Sequence, residues 1–307
     1  MTKYWKQTLH KGVALIILPK IDLHTHTNHS DGTIAPNDLM YMACNKGLTT
    51  IAITDHDCIT AIEQATLIGN NYGIEVIPGV EISTKHEDFD IHIVGLFIDH
   101  YNAELNLEIN KTQNNVQERL KSILEKLVML GMDVSFDEYK EFTKCKMPTR
   151  WHIASYLTSK CIVNNPDEAE ALYLRKGKAG YVKRSYTMMS AKHGIELIHK
   201  AGGIAIWAHP SLSELSIVDL ERFMLHFKQY GLDGIEAYYP ICTRNDNEVI
   251  INLSRRHGLL LSGGSDYHGG NKPNIELGSG CLGMPIPSYI LGEPRSYIYK
   301  INKRHGG

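Results

Sequence analysis

Short apolar, β-rich runs recur along this chain, and a histidine or a carboxylate stands at or just beyond the end of most of them. Residues 21–24, 50–54, 75–81, 91–97, 203–209, 234–239 and 258–262 read as strands. Between them, 36–46, 59–70, 190–201, 217–230 and 245–257 keep helical spacing, and Gly47, Gly202, Gly231 and Gly258 stand where helices stop. Repeated strand–helix alternation predicts a parallel α/β architecture, and a (β/α) barrel is the economical closure.

One stretch breaks the rhythm. From 104 to 181 no buried strand is legible. Val116, Leu120, Ile123, Leu124, Leu127 and Val128 keep helical spacing up to Gly131, and Pro166 opens another helix with Asn165 as its N-cap. The predicted organisation is a barrel built from 1–103 and 182–307, with 104–181 a helical insertion that serves as a substrate lid.

Composition narrows the chemistry. A chain of 307 residues has room for a large domain with an added module. Its net charge of −2 supplies no basic field for generic nucleic-acid or membrane binding, so any nucleic acid must be held locally. Six cysteines without a C-x-x-C pair fit reduced thiols in a cytoplasmic protein. Val13 to Leu18, preceded by Lys3, Lys6 and Lys11, faintly resembles a signal-peptide core. No small-x-small site follows it, and it runs almost directly into the first strand. No run is long enough to span a membrane. Nothing in the chain marks an obligate protein partner.

The strand ends carry the chemistry. Alternate residues of a strand share a face, so His24 and His26 can reach one ion, as can Asp266 and His268 if that segment stays extended. Asp31, His56, Glu81 and His209 also follow strands, at the end of a barrel where functional groups gather. His92 lies early in its strand and fits this scheme less well. Imidazole with carboxylate and no thiolate suits Mn²⁺, Zn²⁺ or Fe²⁺, and not a structural zinc site. Nine such groups exceed the needs of one ion, so two or three divalent ions are implied, with Glu81 bridging. Ions about 3.5–4 Å apart would share a hydroxide and clamp a phosphoryl group during in-line displacement. Asp55 and Asp57 flank His56 and read as orienting imidazoles, with Asp57 also a candidate proton donor to the departing alcohol. Glu236 reads first as a structural carboxylate, with an approach to the site as the alternative, and Arg175, Lys176, Lys178, Lys183 and Arg184 as a solvated helix end and loop.

Five segments together resemble the motifs of the PHP (polymerase and histidinol phosphatase) family. They are Asp22-Leu-His-Thr-His-Thr-Asn-His-Ser-Asp-Gly32, Ile53-Thr-Asp-His-Asp57, Gly79-Val-Glu-Ile-Ser83, Ala208-His-Pro210 and Gly264-Ser-Asp-Tyr-His-Gly269. The resemblance implies a distorted seven-stranded (β/α) barrel with a trinuclear metal site. Carried over by motif, His24, His26, Glu81 and Asp266 would hold one ion. Asp31, His56 and His209 would serve a second, and Glu81, His92 and His268 a third. Within the insertion, Pro148-Thr-Arg-Trp-His-Ile-Ala154 resembles the branch containing ribonuclease AM and 3′,5′-nucleotide bisphosphate phosphatase enzymes. That branch usually has Gly-Arg-Pro-His here. The phosphate-gripping Arg150 and His152 are kept, while Thr149 and Trp151 differ. Arg150 suits the task on its own chemistry, because a guanidinium binds phosphate oxygens bidentately and stays charged.

The expected function is hydrolysis of a phosphate ester of a nucleotide or short oligonucleotide, RNA or DNA, by a metal-activated hydroxide. Two alternatives stand beside it. An amidohydrolase or deaminase would also use an early H-x-H and a late aspartate, but would commonly want a carboxylated lysine where this chain offers Glu81. A non-catalytic module would use the ions only for stability.

Overall fold

The computed structural model describes residues 19–183, 188–213 and 215–305. The apolar run at 13–18 and Arg184 lie outside the described residues. Seven strands form one sheet in chain order: β1 (Lys20–Asp22), β2 (Leu48–Ile53), β3 (Glu75–His86), β4 (Phe89–Leu96), β5 (Ile204–Trp207), β6 (Gly234–Tyr238) and β7 (Leu260–Gly263). Side-chain alternation sends each strand into two cores. Ile51, Ile53, Ile93, Ala205 and Trp207 pack in one cluster with residues of the flanking helices. Ile21, Ala52, Ile77, Val94, Leu96, Ile204 and Ile206 meet on the other face, covered by Ile286, Ile290 and Leu291. Burial on both faces is why these strands read as nearly continuous apolar runs.

The flanking helices are α1 (Pro36–Asn45), α2 (Ile62–Tyr72) and, after the central segment, α7 (Ala191–Lys200), α8 (Ile217–Gln229) and α9 (Arg244–His257), with α10 (Gly292–His305) last. Their stops follow the glycines: Gly258 caps α9 in the left-handed region, and Gly202 and Gly231 adopt the same conformation just past α7 and α8. The central segment holds α3 (Ala103–Met129), α4 (Phe136–Thr143), α5 (Arg150–Ser159) and α6 (Pro166–Ala169), which continues as a π-helical turn over Glu170–Leu174. Asn165 caps α6 by accepting from Glu168 N. Leu120, Ile123, Leu124 and Leu127 pack with Tyr139, Ile153, Leu157 and Leu174 in a core of their own. Val128, read as part of the same stripe, is instead exposed.

One expectation is corrected. Pairing is parallel in β1–β2, β2–β3, β5–β6 and β6–β7, but β4 runs antiparallel to both β3 and β5. Only Glu87 and Asp88 separate β3 from β4, too few for the crossover that a parallel pair requires. Strand direction leaves no trace in apolar periodicity, so a hairpin and a parallel pair looked alike. The reversal accounts for His92. Because β4 runs the other way, its beginning lies at the rim where its neighbours end, and His92 pairs with Ser83, two residues past Glu81.

The edge strands β1 and β7 meet through the residues beyond them. Leu23 N donates to Gly263 O (3.2 Å), Asp266 N to His24 O (2.8 Å) and His26 N to Tyr267 O (3.0 Å).

The helical core gives a direct test. Leu124 is buried, whereas Met129 on the same helix is 86% exposed. Leu124→Ala should lower unfolding free energy by about 3 kcal/mol, and Met129→Ala should change it by less than about 0.5 kcal/mol, read by urea denaturation.

Candidate metal centre

A buried carboxylate stages the rim. Asp22, at the end of β1, accepts from Ser265 N (2.9 Å), Ser265 Oγ (2.6 Å) and Gly278 N (2.7 Å). It thereby fastens the segment before Asp266 against His24. Burial pushes its carboxyl up to about 6, although these bonds pull the other way. The approach is close enough to demand a glycine: a Cβ at Gly264 would lie 2.1 Å from His24 Cβ. Asp57, His209 and Asp266 take positive φ angles of 42°, 30° and 53°. Such backbone is costly for residues other than glycine and tends to collect at functional sites.

Glu81 stands at the centre, fully buried, with five imidazoles around it. Its Oε2 lies 3.1 Å from His24 Nε2, 3.2 Å from His26 Nε2 and 3.2 Å from His56 Nδ1. Its Oε1 lies 3.0 Å from His92 Nδ1 and 2.9 Å from His209 Nε2. Asp266 Oδ1 lies 3.2 Å from His26 Nε2, and Asp31 Oδ1 lies 3.2 Å from His268 Nε2. All nine expected residues are therefore brought together.

Three tight groupings emerge, with ligand atoms within 4.8 Å of one another: His24, His26, Glu81 and Asp266; His26, Asp31, His56 and His268; and His56, Glu81 and His92. The first is the set the motifs implied. In the others His268 joins Asp31 and His56 instead of His92, and His209 reaches the centre through Glu81.

The donor set fits divalent cations. His24 Nε2, both ring nitrogens of His26, His56 Nδ1, Asp31 Oδ1 and Glu81 Oε2 are buried without a hydrogen-bond partner among the described residues. Buried polar atoms are normally satisfied, so a convergent set of unsatisfied ones needs a positive centre between them. The electrostatics agree. Burial would raise Glu81 and Asp266, yet His56, His24 and His92 around Glu81, and Lys272 with His24 around Asp266, hold both carboxyls well below their ordinary range. Burial, together with His26 and His92, pushes His56 down to about 3, whereas Asp266 and Glu81 outweigh burial and raise His26 to about 9, so the carboxylates draw positive charge into the cluster.

A supporting layer surrounds this set, and it differs from the expected one. Glu236 Oε1 lies 3.2 Å from His24 Nδ1, and its Oε2 accepts from His209 N at 2.8 Å, so this carboxylate aims His24 and fixes the backbone of His209. Tyr239 OH (3.1 Å) and Lys272 Nζ (2.5 Å) donate to Asp266 Oδ2. The flanking acids orient backbone, not imidazole. Asp55 accepts from Thr27 N, Thr27 Oγ1 and Ser30 Oγ, and Asp57 Oδ1 accepts from Ser83 N. Burial raises Asp57 to about 6, and its Oδ2 is buried without a partner among the described residues.

Arg150 and His152 sit in the first turn of α5. Arg150 Nε donates to Glu170 Oε1 at 2.7 Å. His152 Nδ1 accepts from Thr149 N (3.0 Å), closing a capping box. Burial lowers the His152 imidazole, while the charge of Asp31 pulls it the other way. Among the described residues, Arg150 makes no hydrogen bond or ion pair with any of the nine clustered residues.

Sequence comparison decides the family. The PHP domain family matches residues 22–201. This chain belongs to it. It is 34% identical over 249 residues to a 5′-3′ exoribonuclease of Haemophilus influenzae, covering 81% of this chain and 90% of that protein. It is 30% identical over 262 residues to a 3′,5′-nucleoside bisphosphate phosphatase of Chromobacterium violaceum, covering 85% and 91%. A solved structure from Bifidobacterium adolescentis, provisionally assigned as a metal-dependent phosphoesterase, superimposes with a TM-score of 0.79 at 26% identity, covering 91% of this chain and 96% of that one. No helix among the described residues is long and apolar enough to cross a membrane.

The role of Glu236 can be tested. A glutamine there offers one acceptor where Glu236 serves two donors. Glu236→Gln should weaken divalent-cation binding by about 10–100-fold in a calorimetric titration, with the fold retained by circular dichroism.

Proposed function

We propose that this PHP-family protein is a metal-dependent phosphoesterase that hydrolyses a phosphate ester of a nucleotide or short oligonucleotide. The observation that carries the reading is Glu81, a buried carboxylate touched by five imidazoles, with Asp31 and Asp266 completing the groupings. Two or three ions, Mn²⁺, Zn²⁺ or Fe²⁺, suit this nitrogen and oxygen set. We read the sheet as a distorted barrel whose edges are drawn together by the bonds from Leu23, His24 and His26 to β7 and the chain after it, which would hold the ligands in register. Bound divalent cations supply Lewis-acid polarisation of phosphate oxygens and activation of water.

The protein's own groups do the rest. His24, His26, Asp31, His56, Glu81, His92, His209, Asp266 and His268 hold the ions. Segment 104–181 acts as the lid, carrying α5 over the rim so that Arg150 and His152 meet the substrate phosphate. Glu170 accepts from Arg150 Nε, and the two terminal nitrogens make no hydrogen bond among the described residues. They can therefore bind phosphate as a fork. Asp57, with one buried oxygen unpartnered among the described residues, would give a proton to the departing alcohol. The relatives of Haemophilus and Chromobacterium support a nucleotide-containing substrate, and Glu81, in place of a carboxylated lysine, argues against amide hydrolysis.

Phosphate release from 3′,5′-bisphosphates, nucleoside monophosphates and 5′-phosphorylated RNA tests the proposal. Chelation should abolish release and Mn²⁺ should restore it. Glu81→Gln should lower kcat by at least about 100-fold, and Arg150→Ala should act mainly on KM, raising it about tenfold. Ammonia release from amide substrates, without phosphate release from this panel, would overturn the assignment.

A further inference from the structure

The geometry points to Trp151 and Asn271 as a latch that lets the helical segment hold Asp31 in ligating position, an inference that rests on the metal-site reading above. Trp151 Nε1 donates to Asn271 Oδ1 at 3.2 Å, and Asn271 Nδ2 donates to the backbone carbonyl of Asp31 at 2.7 Å. The orientation of the amide is unambiguous. An indole N–H can only donate and a carbonyl can only accept, so the oxygen must face Trp151 and the nitrogen Asp31. Asn271 is thus a relay with one bond in each direction.

Its position makes the relay consequential. Asn271 closes the short 3₁₀ turn Gly269–Asn271 that follows His268, while Trp151 belongs to the first turn of α5. One amide therefore joins the segment of His268, the loop of Asp31 and the lid. The same loop is held a second time from the helical segment, where Met147 N donates to His29 O at 3.2 Å. Asp31 needs such help. Its carboxylate is 19% exposed, whereas those of Glu81 and Asp266 are buried. It also sits on a turn, Thr27–Gly32, and not on a strand that would fix it. A ligand on a turn loses affinity to loop entropy unless the turn is restrained. Seating of α5 and retention of the cation at His26, Asp31, His56 and His268 thereby become one event, with Trp151 and Asn271 as positioning residues. Of Trp151, Arg150 and His152, only Trp151 reaches across to the turn after His268.

The test is a Mn²⁺ titration calorimetry series on the full chain with W151F, N271L and the double variant, alongside thermal unfolding of the metal-free proteins. Phenylalanine keeps the ring and removes the donor. Leucine keeps the volume and removes both bonds. Each single change should weaken one class of ion about tenfold while the remaining class binds as in wild type. The double variant should be no weaker than N271L, since the relay is already broken. Metal-free Tm values should stay within about 2 °C of wild type. Unchanged affinity in N271L, equal weakening of every ion, or additive losses in the double variant would overturn the latch. These outcomes are distinct from failure of the function itself, in which wild type would bind no ion.

Discussion

The fold at the rim is organised around one electrostatic problem, a carboxylate withdrawn completely from water. An isolated buried carboxylate would cost several kcal/mol or become protonated. Glu81 does neither, because His24, His26, His56, His92 and His209 approach it from four different strands or the loops after them. These imidazoles bring their own difficulty, since several of their inward nitrogens find no hydrogen bond. Positive charge placed among them resolves both at once. The arrangement makes sense as a binding site and would be a liability as a core.

Around this centre the structure spends its hydrogen bonds on backbone placement. Asp22 and Asp55 are buried carboxylates, and neither is in the ligand groupings. Each accepts several backbone or hydroxyl donors and fastens one ligand-bearing loop to another. Asp22 joins the chain before His24 to the chain before Asp266, and Asp55 clamps the turn that leads to Asp31. Left-handed backbone at His209 and Asp266 shows the same priority, with local strain accepted where a side chain must face inward.

Much of this was legible because the ligands obey rules that sequence displays. Alternation places His24 with His26, and apolar runs show where each strand ends, so the convergence of nine groups could be read without coordinates. What escaped shares a physical cause. The reversal of β4 is invisible to periodicity, and with it the reason that His92 belongs. Glu236 sits inside a strand with the spacing of an ordinary structural carboxylate. Lys272 and Tyr239 act on Asp266 through contacts that depend on how two loops fold back, which no local pattern encodes. Asp55 and Asp57 adjoin His56 in sequence, but the backbone turns them toward Thr27, Ser30 and Ser83.

The order of the chain has an effect on its biogenesis. His24 and His26 precede β2, while Asp266 and His268 follow β7, the last strand of the sheet. Each four-membered grouping includes residues from both ends. A nascent or clipped chain lacking the last loop would miss Asp266 from the first grouping and His268 from the second, leaving only His56, Glu81 and His92 as a full set. Both four-membered groupings would therefore become complete only once residue 268 had been added.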